Sequence, residues 1–406
     1  MSNRRLYLFD DRRARRWAPI TLTRPAGEIL FGCFTFRERA ERLFDTPCSG
    51  HVTREALGGF DEDGAAPTVP LDALPTDATR VLLSSRAVID AQSMKEADDL
   101  PARIVVGGQT AGWIVPAGET NPPEAWLRDP EKAPRQSASV ELDGYFLDHP
   151  WDLVARNDER IARDVAHSWP EEMEPPGIVK VGSHAISLGD GALIEPGVHV
   201  DVRAGPIRLA EGATVEGPAR IAGPLFVGRG STVLGGTVGT SSIGPVCLVR
   251  GEVAHSIMLG FVNKAHDGHI GHALLGRWVN LGAFTTNSDL KNNYRSVRVW
   301  TLDGERDTGL LKVGSFLGDH VKTGIGTVLN TGTVIGAGSN VFGGVMPPTV
   351  VPPFSWGAGS DLRDHRLDKF LDTADRVMAR RGESMTPGVR HLLGEAWKAT
   401  AGRRAQ

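Results

Sequence analysis

The chain has 406 residues, a length that favours two domains and a short tail. Hydrophobic residues make up 40%, charged residues 23% and the net charge is −4, so the composition is that of a globular protein and gives no basic excess for nucleic acid. The three cysteines are too few for a disulfide framework. Because no apolar run reaches membrane-spanning length and the N-terminus lacks a signal-peptide core, we expect a cytoplasmic protein without membrane contact.

Residues 1–175 are predicted to form a mixed α/β domain. RLYLFD near the N-terminus indicates a strand, and TFRERAERLF, with its spaced apolar positions, indicates a helix. RVLLSS (80–85) and RIVVGG (103–108) are typical of buried strands. Residues 151–169 predict a linking helix, because Pro150 stands at its first turn.

Residues 177–357 have a different pattern, in which one apolar residue recurs every six positions. The repeated positions are Leu209, Val215, Ile221, Val227, Val233, Ile243, Val249, Leu275, Leu281, Leu317, Thr323, Leu329, Ile335 and Val341. The 36 residues from Leu281 to Leu317 are six whole periods, so the interruption keeps phase. This period predicts a parallel β-helix of hexapeptide repeats. A sandwich of short strands would instead alternate with period two and carry more aromatic residues.

Residues 358–406 form a tail in which 361–400 are predicted to be helical. Apolar side chains recur there on one side, at Leu367, Phe370, Leu371, Ala374 and Val377. Such a segment is suited to cover the open end of a β-helix.

The stretch NKAHDGHIGH (263–272) collects three histidines inside this repeat region, and the surrounding segment 252–294 resembles the acetyltransferase half of the GlmU family. Members are bifunctional glucosamine-1-phosphate acetyltransferases and N-acetylglucosamine-1-phosphate uridyltransferases. The resemblance implies an α/β nucleotidyltransferase-like (Rossmann-like) domain followed by a left-handed β-helix. It also implies a homotrimer that binds acetyl-CoA between subunits as a co-substrate and acts on sugar phosphates and nucleotides.

The family's motifs fall on this sequence without gaps. Its catalytic histidine falls on His266 in AHDGHIGH, and its sugar-contacting asparagine falls on Asn280 in VNLGAF. Its alanine, whose backbone contacts the cofactor, falls on Ala283. The resemblance therefore implies that His266 is catalytic and that Asn280 and Ala283 bind substrate and cofactor.

Other family positions differ here. The tyrosine after the catalytic histidine is His269, and the lysine that holds the sugar phosphate falls on Ala254. The family's Asn-Tyr-Asp-Gly loop is replaced by TNSDLKNNY, with Asn287, Lys291 and Tyr294 as counterparts. These differences leave the acyl acceptor open.

The chemistry of acetyl transfer also favours a histidine. A base must take the proton as the amine nitrogen attacks the thioester, and the pKa of histidine lies near physiological pH. We expect His266 to be this base, with Asp267 or a carbonyl fixing its tautomer, and expect Lys264, Lys291 and Arg295 as candidates to hold a substrate phosphate. Two alternatives remain: His266 is an ordinary loop histidine, or the three histidines bind a metal, although their spacing is not a standard zinc set.

RRWAPITLTRPAGEILFG (15–32) resembles the opening of sugar-phosphate nucleotidyltransferases, where a Gly-rich loop binds nucleotide phosphates. Here no glycine precedes Gly27, and the lysine after the proline is Ala26. The residues predicted to contact phosphate instead are Arg12, Arg13, Arg16 and Arg24.

Nucleotidyl transfer also needs Mg²⁺ held by carboxylates. RVLLSS ends in serines where the family has an aspartate, which leaves Asp90 as the nearest acid. Asp148 is the second candidate ligand, whereas Asp152 is better explained as an acid in the first turn of a helix.

The sequence thus predicts acyl transfer, most simply of acetyl from acetyl-CoA, to an amino sugar phosphate or nucleotide sugar in the β-helix. The N-terminal domain is then a sugar-1-phosphate nucleotidyltransferase with an altered site. One alternative is a nucleotidyltransferase whose β-helix only trimerises or senses a ligand. A second alternative is a non-enzymatic scaffold.

Overall fold

The computed structural model describes residues 4–90, 101–134, 138–170, 173 and 175–404. Its N-terminal part begins with ten strands and three α-helices. The strands are β1 (Arg4–Phe9), β2 (Leu30–Phe31), β3 (Phe34–Thr35), β4 (Cys48–Val52), β5 (Thr79–Ser84), β6 (Ala87–Ile89), β7 (Ala102–Val106), β8 (Gln109–Val115), β9 (Ser139–Leu142) and β10 (Gly144–Phe146). The helices are α1 (Phe36–Phe44), α2 (Glu124–Arg128) and α3 (Pro150–Ser168).

Six of these strands form one sheet in the order β4-β1-β5-β8-β7-β9. β4, β1 and β5 run parallel, while β8 is antiparallel to both β5 and β7. Along β1, Leu6 and Leu8 pack on one face of the sheet and Tyr7 and Phe9 on the other. Both faces are therefore covered, as in other α/β sheets with a parallel centre.

The linking helix α3 joins this domain to the β-helix. Its first turn is capped by Asp152, which accepts hydrogen bonds from the backbone N–H groups of Asp148 and His149. Its buried apolar side chains share one core with Ile257 and Leu274 of the β-helix. Asn157 also accepts hydrogen bonds from Gly32 and Ser242, so α3 fixes the two parts to each other.

The repeat region folds into a parallel β-helix with three faces, as predicted. The first face contains Val179–Val181, His199–Asp201, Ala219–Ala222, Gly236–Gly239, Glu252–Ala254 and His269–Gly271. The second contains Ile186–Leu188, Ile207–Leu209, Leu225–Val227, Ser242–Ile243, Ile257–Met258, Leu274–Leu275, Phe316–Leu317, Val334–Ile335 and Val350–Val351. The third contains Leu193–Ile194, Thr214–Val215, Thr232–Val233, Leu248–Val249, Asn263–Lys264, Asn280–Leu281, Lys322–Thr323, Asn340–Phe342, Ser355–Ala358 and Asp361–Asp364.

The predicted six-residue period is confirmed by burial. All fourteen repeated residues are buried, and they stack in columns inside the coil. In one column Leu209 pairs with Val227, and Val227 pairs with Ile243. Each apolar residue thus covers the one in the previous coil, which is how a solenoid builds a continuous core. Lys264 and Asn287 are polar residues at inward positions of the same columns.

The interruption keeps phase because the chain leaves the coil and returns to it in register. Thr286–Asn287 pairs with Val328–Leu329, after which residues 288–315 run outside the coil. This inserted segment carries the antiparallel hairpin Arg298–Thr301/Gly304–Asp307. Phe316–Leu317 then pairs with Leu274–Leu275, as the next coil requires.

The tail is helical only in part. Asp361–Asp364 is a strand antiparallel to Ser355–Ala358, so the predicted helix at 361 is wrong at its start. Helices α4 (Leu367–Ala379), α5 (Pro387–Ala399) and α6 (Ala401–Arg404) follow. One apolar cluster contains Phe354 of the last coil, Phe370 of α4, Leu392 of α5 and Phe60 of the N-terminal domain. The tail therefore covers the end of the β-helix and also contacts the N-terminal domain. No helix in the described part of the chain is long and apolar enough to cross a membrane.

Candidate functional site

His266 lies at the corner between the third and first faces of the β-helix. The corner joins Asn263–Lys264 to His269–Gly271, and the imidazole is exposed there. In the described part of the chain, no hydrogen bond or ion pair engages this side chain, so the imidazole is open to solvent. Asn263 pairs with Asn280, and this register puts Ala283 at the same corner one coil later. The structure therefore brings His266 and Ala283 together.

Lys264 supports this corner from the inside. Its side chain is 1% exposed, and its ammonium donates hydrogen bonds to the carbonyl oxygens of Arg250, at 2.9 Å, and His266. Burial lowers the pKa of Lys264 to about 8, while the nearby Asp267 opposes that shift. In this structure the ammonium is turned into the coil and does not face a substrate phosphate.

Asn280 lies on the outer side of the third face, close to the same corner. Its side-chain oxygen accepts a hydrogen bond from Asn263 Nδ2 at 2.8 Å. The two half-buried amides form a short polar ladder on neighbouring coils. Asn280 is thus accessible from outside the coil, as a substrate-contacting residue must be.

A cluster of histidines and acids lies on the first face, directly after the corner. His272 Nδ1 is 2.7 Å from Asp289 Oδ2, and His269 lies 3.9 Å from the same oxygen. His269 Nδ1 is also 3.4 Å from Glu252. Asp289, with Glu252, raises the pKa of His269, while the two histidines hold the pKa of Asp289 well below its usual range. We call His269, His272, Asp289 and Glu252 the histidine–acid cluster.

The cluster depends on one glycine and extends to the linking helix. A Cβ at Gly271 would lie 2.5 Å from Asp289 Oδ2 and 2.5 Å from His269 Nε2, so a larger residue would displace these two side chains. His255 stacks on His272 with 4.6 Å between ring centroids. Burial, together with the neighbouring His272, lowers the pKa of His255. His255 Nδ1 also lies 3.8 Å from Asp158 of α3.

The three residues of TNSDLKNNY that correspond to the family's Asn-Tyr-Asp-Gly loop lie in different environments. Asn287 is buried, and its amide pairs with both the N–H and the C=O of Gly271, which fixes the strand beside Asp289. Lys291 donates a hydrogen bond to the Ser296 carbonyl within the inserted segment. Tyr294 is exposed, with φ of 53°. Asn287 is therefore part of the support of the site, whereas Tyr294 is free to contact a ligand.

This arrangement suits proton transfer better than metal binding. A solvent-facing imidazole at a corner of Gly-rich coils can accept a proton, and backbone N–H groups can stabilise an oxyanion. The alternative of a zinc site at His266, His269 and His272 gains no support, because no three His, Cys, Asp or Glu side chains of the described residues are grouped to hold a metal.

The N-terminal arginines predicted to contact phosphate are mostly engaged in ion pairs. Arg13 pairs with Asp148 at 2.5 Å, and Arg16 pairs with Asp303 of the inserted hairpin. Arg24 is buried between Glu62, at 2.7 Å, and Asp319 of the β-helix, at 2.9 Å. Arg24 thus joins the two parts of the chain. The last residue of this set, Arg12, is exposed.

The predicted Mg²⁺ ligands do not fit a metal ion. Asp148 Oδ1 already accepts hydrogen bonds from Arg13 and from Arg86, the latter at 2.9 Å. Arg86 also pairs with buried Asp11 at 2.5 Å, so a guanidinium supplies the positive charge beside these acids. Asp90 lines a different cavity from Asp148, beside two arginines of α3. We derive no metal-dependent step at these residues.

Sequence reasoning missed several residues that build these sites. Asp289 and Glu252 lie within the segment that resembles the family, and Glu252, three residues before His255, was a usable signal. Arg86 and Asp319 gave no such signal, because their partners are 75 and 295 residues away in sequence.

Comparisons with known proteins agree with this architecture. Residues 6–168 match the family model described as sugar nucleotidyl transferase. A bifunctional sugar-1-phosphate nucleotidylyltransferase/acetyltransferase of Sulfurisphaera tokodaii is 31% identical over 23% of this chain and 24% of its own length. The bifunctional protein GlmU of Methanococcus vannielii is 28% identical over 49% of this chain and 44% of its own length. The resemblance to GlmU-like proteins is confirmed.

This GlmU-like resemblance is at low identity and is partial. The chain spans less than half the length of the curated relatives it matches. Among solved structures, an Arabidopsis UDP-N-acetylglucosamine acyltransferase is 14% identical over 58% of this chain and 98% of its own, with a TM-score of 0.29. Overlap at that score supports no inference about the site.

Proposed function

We propose that the chain is a GlmU-like transferase whose β-helix, residues 177–357, transfers an acetyl group from acetyl-CoA to the amine of an amino sugar phosphate or nucleotide sugar. His266 is the general base. The observation that carries this proposal is the solvent-facing imidazole of His266 at the same corner as Ala283, beside the histidine–acid cluster. As the amine nitrogen attacks the thioester carbonyl, His266 takes its proton, the C–S bond breaks, and His266 returns the proton to the leaving thiolate so that coenzyme A departs as the thiol.

The histidine–acid cluster supplies the binding surface for the acceptor in this proposal. The carboxylates of Glu252 and Asp289 suit an ammonium group or sugar hydroxyls, since carboxylate oxygens accept strong hydrogen bonds. His269, whose pKa is raised by Asp289, suits the anionic part of the acceptor where the family has a tyrosine. Asn280 contacts the sugar from the neighbouring coil, and Tyr294 lies at the rim of the site.

A homotrimer of the chain, in the cytoplasm, would complete the site. Large apolar side chains are exposed near the His266 corner in this coil and the following ones, with Phe284 63% and Ile325 73% exposed. Exposed apolar side chains that follow one edge of a solenoid suit contact with a second copy. Acetyl-CoA would bind in that contact, with its thioester beside the Ala283 backbone.

The second candidate function is sugar-1-phosphate nucleotidyl transfer by residues 1–175, with the β-helix as a trimerisation stem. The match of residues 6–168 to the sugar nucleotidyl transferase model favours it. The ion pairs of Asp148 with Arg13 and Arg86 count against a metal-dependent reaction there. A pyrophosphate-release assay with several nucleoside triphosphates and Mg²⁺ tests this candidate directly.

The test of the first proposal is thiol release from acetyl-CoA with glucosamine-1-phosphate and with UDP-linked amino sugars. We expect turnover in the wild type and a loss of about 10²-fold or more in His266→Ala, as for a general base. His167→Ala, at an exposed histidine of α3, is the matched control and should retain full activity. Absence of turnover with every acceptor would remove the acetyltransferase proposal.

A further inference from the structure

A cavity of about 290 Å³ lies between the N-terminal domain, the inserted hairpin, the last coils of the β-helix and the C-terminal end. Pro19, Trp300 and Val351 contribute to its largely apolar wall. Arg15, Arg54 and Arg403 line it as well. None of the residues of the His266 corner or of the histidine–acid cluster belongs to this lining, so the cavity is separate from the proposed acetyltransferase site.

The charged residues that line this cavity are all positive. Its lining contains three arginines and, within the described part of the chain, no aspartate or glutamate. The side chain of Arg54 makes no hydrogen bond or ion pair with any described residue, and its Nη2 atom is buried without a partner. Burial lowers the pKa of Arg54, the nearby Asp10 opposes that shift, and the charges of Arg15 and Arg403 add to it. The guanidinium groups are thus close enough to repel one another.

The buried acid Asp10 attracts Arg15 and Arg54 but forms an ion pair with neither of them. Asp10 is buried, and its carboxylate accepts hydrogen bonds from Thr53 Oγ1 and Ser85 Oγ, each at 2.6 Å. Arg15 donates to the backbone carbonyl of Asp10 rather than to its carboxylate. A buried donor without an acceptor is costly, and so is a group of like charges, so the free cavity is in an unfavourable state that an anion would relieve.

We propose that this cavity binds a small organic phosphate at the junction of the two parts of the chain. The phosphoryl group sits among Arg15, Arg54 and Arg403, because planar guanidinium groups bind phosphate oxygens in pairs. An aromatic or apolar body packs against Trp300 and the proline and valine side chains opposite. The volume lies near the lower end of small-molecule pockets, which limits the ligand to a compact one.

The ligand would connect parts of the chain that are distant in sequence. Arg15 and Arg54 belong to the N-terminal domain, Val351 to the last coils and Arg403 to α6. A phosphate bound to all three arginines therefore ties the terminal helix to the N-terminal domain, and the body of the ligand contacts the last coils. This inference does not depend on the proposed acetyl transfer, and its failure would leave that proposal unchanged.

Isothermal titration calorimetry of the full chain with phenyl phosphate tests the proposal, with inorganic phosphate and phenol as partial probes. We expect phenyl phosphate to bind about tenfold or more tightly than either partial probe, because it alone uses both the arginines and the apolar wall. Binding of phenyl phosphate no tighter than that of inorganic phosphate would overturn the assignment of the apolar wall. Absence of binding would overturn the site.

Arg54→Met and Arg403→Met should each weaken phenyl phosphate binding by about tenfold or more. The control Arg12→Met, at an exposed arginine in the same N-terminal loop as Arg15, should leave the binding unchanged. Without ligand, Arg54→Met should melt close to the wild-type temperature or above it, because the guanidinium has no ion-pair partner among the described residues and loses only the attraction of Asp10. A lower melting temperature together with unchanged binding would instead show a structural arginine. Arg403→Met, on the terminal helix, keeps the test decisive if the first variant does not fold.

Discussion

Replacing Lys264 with methionine removes one charge from the inside of the β-helix and keeps the length of the side chain. Lys264 stands in the inward column between Val249 and Leu281, where the other coils carry apolar residues. A pKa that falls from 10.5 to about 8 on folding corresponds to about 3 kcal/mol against the charged form. The two carbonyl oxygens that lose their donor in Lys264→Met cost about 1–3 kcal/mol. At pH 7 the two effects nearly cancel.

The dependence of the free energy of unfolding on pH separates these two effects. Between pH 8 and 10.5 the unfolded chain still holds the proton on Lys264, whereas the folded chain has released it. Because the unfolded state then binds more protons, the wild type gains stability as pH rises through this range. Lys264→Met has no such group. We therefore expect the wild type to gain up to about 3 kcal/mol relative to the variant between pH 7 and pH 10.5.

Urea unfolding of both proteins at pH 7, 8.5 and 10, at one protein concentration, measures this difference. The other titrating groups, such as Lys322 and the cysteines, are common to both proteins and cancel. Lys369→Met, at an exposed lysine of α4, should follow the wild type at every pH. Parallel stability curves for the wild type and Lys264→Met would refute the argument that Lys264 is charged and buried. The variant should also lose acetyl transfer, because the ammonium holds the His266 backbone.

Two further changes test the other contacts. Asp319→Asn leaves buried Arg24 with one carboxylate and should lower the free energy of unfolding, measured in urea, by about 3 kcal/mol. The control Asp303→Asn, at a half-exposed ion pair with Arg16, should change it by about 0.5 kcal/mol or less. Equal effects of the two variants would contradict the buried ion pair between Arg24 and Asp319. Asp289→Asn should lower the pKa of His269 in an NMR titration, since Asp289 raises it, and an unchanged His269 would mean that the two side chains do not interact in solution.

The architecture could be predicted from sequence because the β-helix repeats one local rule. Each coil needs an apolar residue at a fixed interval, and the period therefore identified Leu209, Ile243 and Leu317 as core residues without knowledge of their partners. The same rule places Lys264 and Asn287 at inward positions, but both residues are polar and were therefore not assigned to the core. Both were expected at a substrate, and both are buried against backbone groups.

Contacts between distant segments could not be predicted in this way. The arginines of the N-terminal loop were expected at nucleotide phosphates because residues 15–32 resemble the opening of sugar-phosphate nucleotidyltransferases but lack the glycines of the phosphate-binding loop. Arg24 instead pairs with Asp319, which lies 295 residues away, and no local pattern encodes that distance. The pairing of Asp148 with Arg86 likewise depends on the antiparallel pairing of β6 with β10, which brings the two residues together.

The measurement that tests the central claim most directly is mass spectrometry of the sugar acceptor after incubation with acetyl-CoA and the full chain. The account predicts one acetyl group on the amine of the acceptor, with an equal amount of free coenzyme A, and neither product with His266→Ala. An acceptor that stays unmodified, while a nucleoside triphosphate and a sugar-1-phosphate yield pyrophosphate, would contradict it and assign the chemistry to the N-terminal domain.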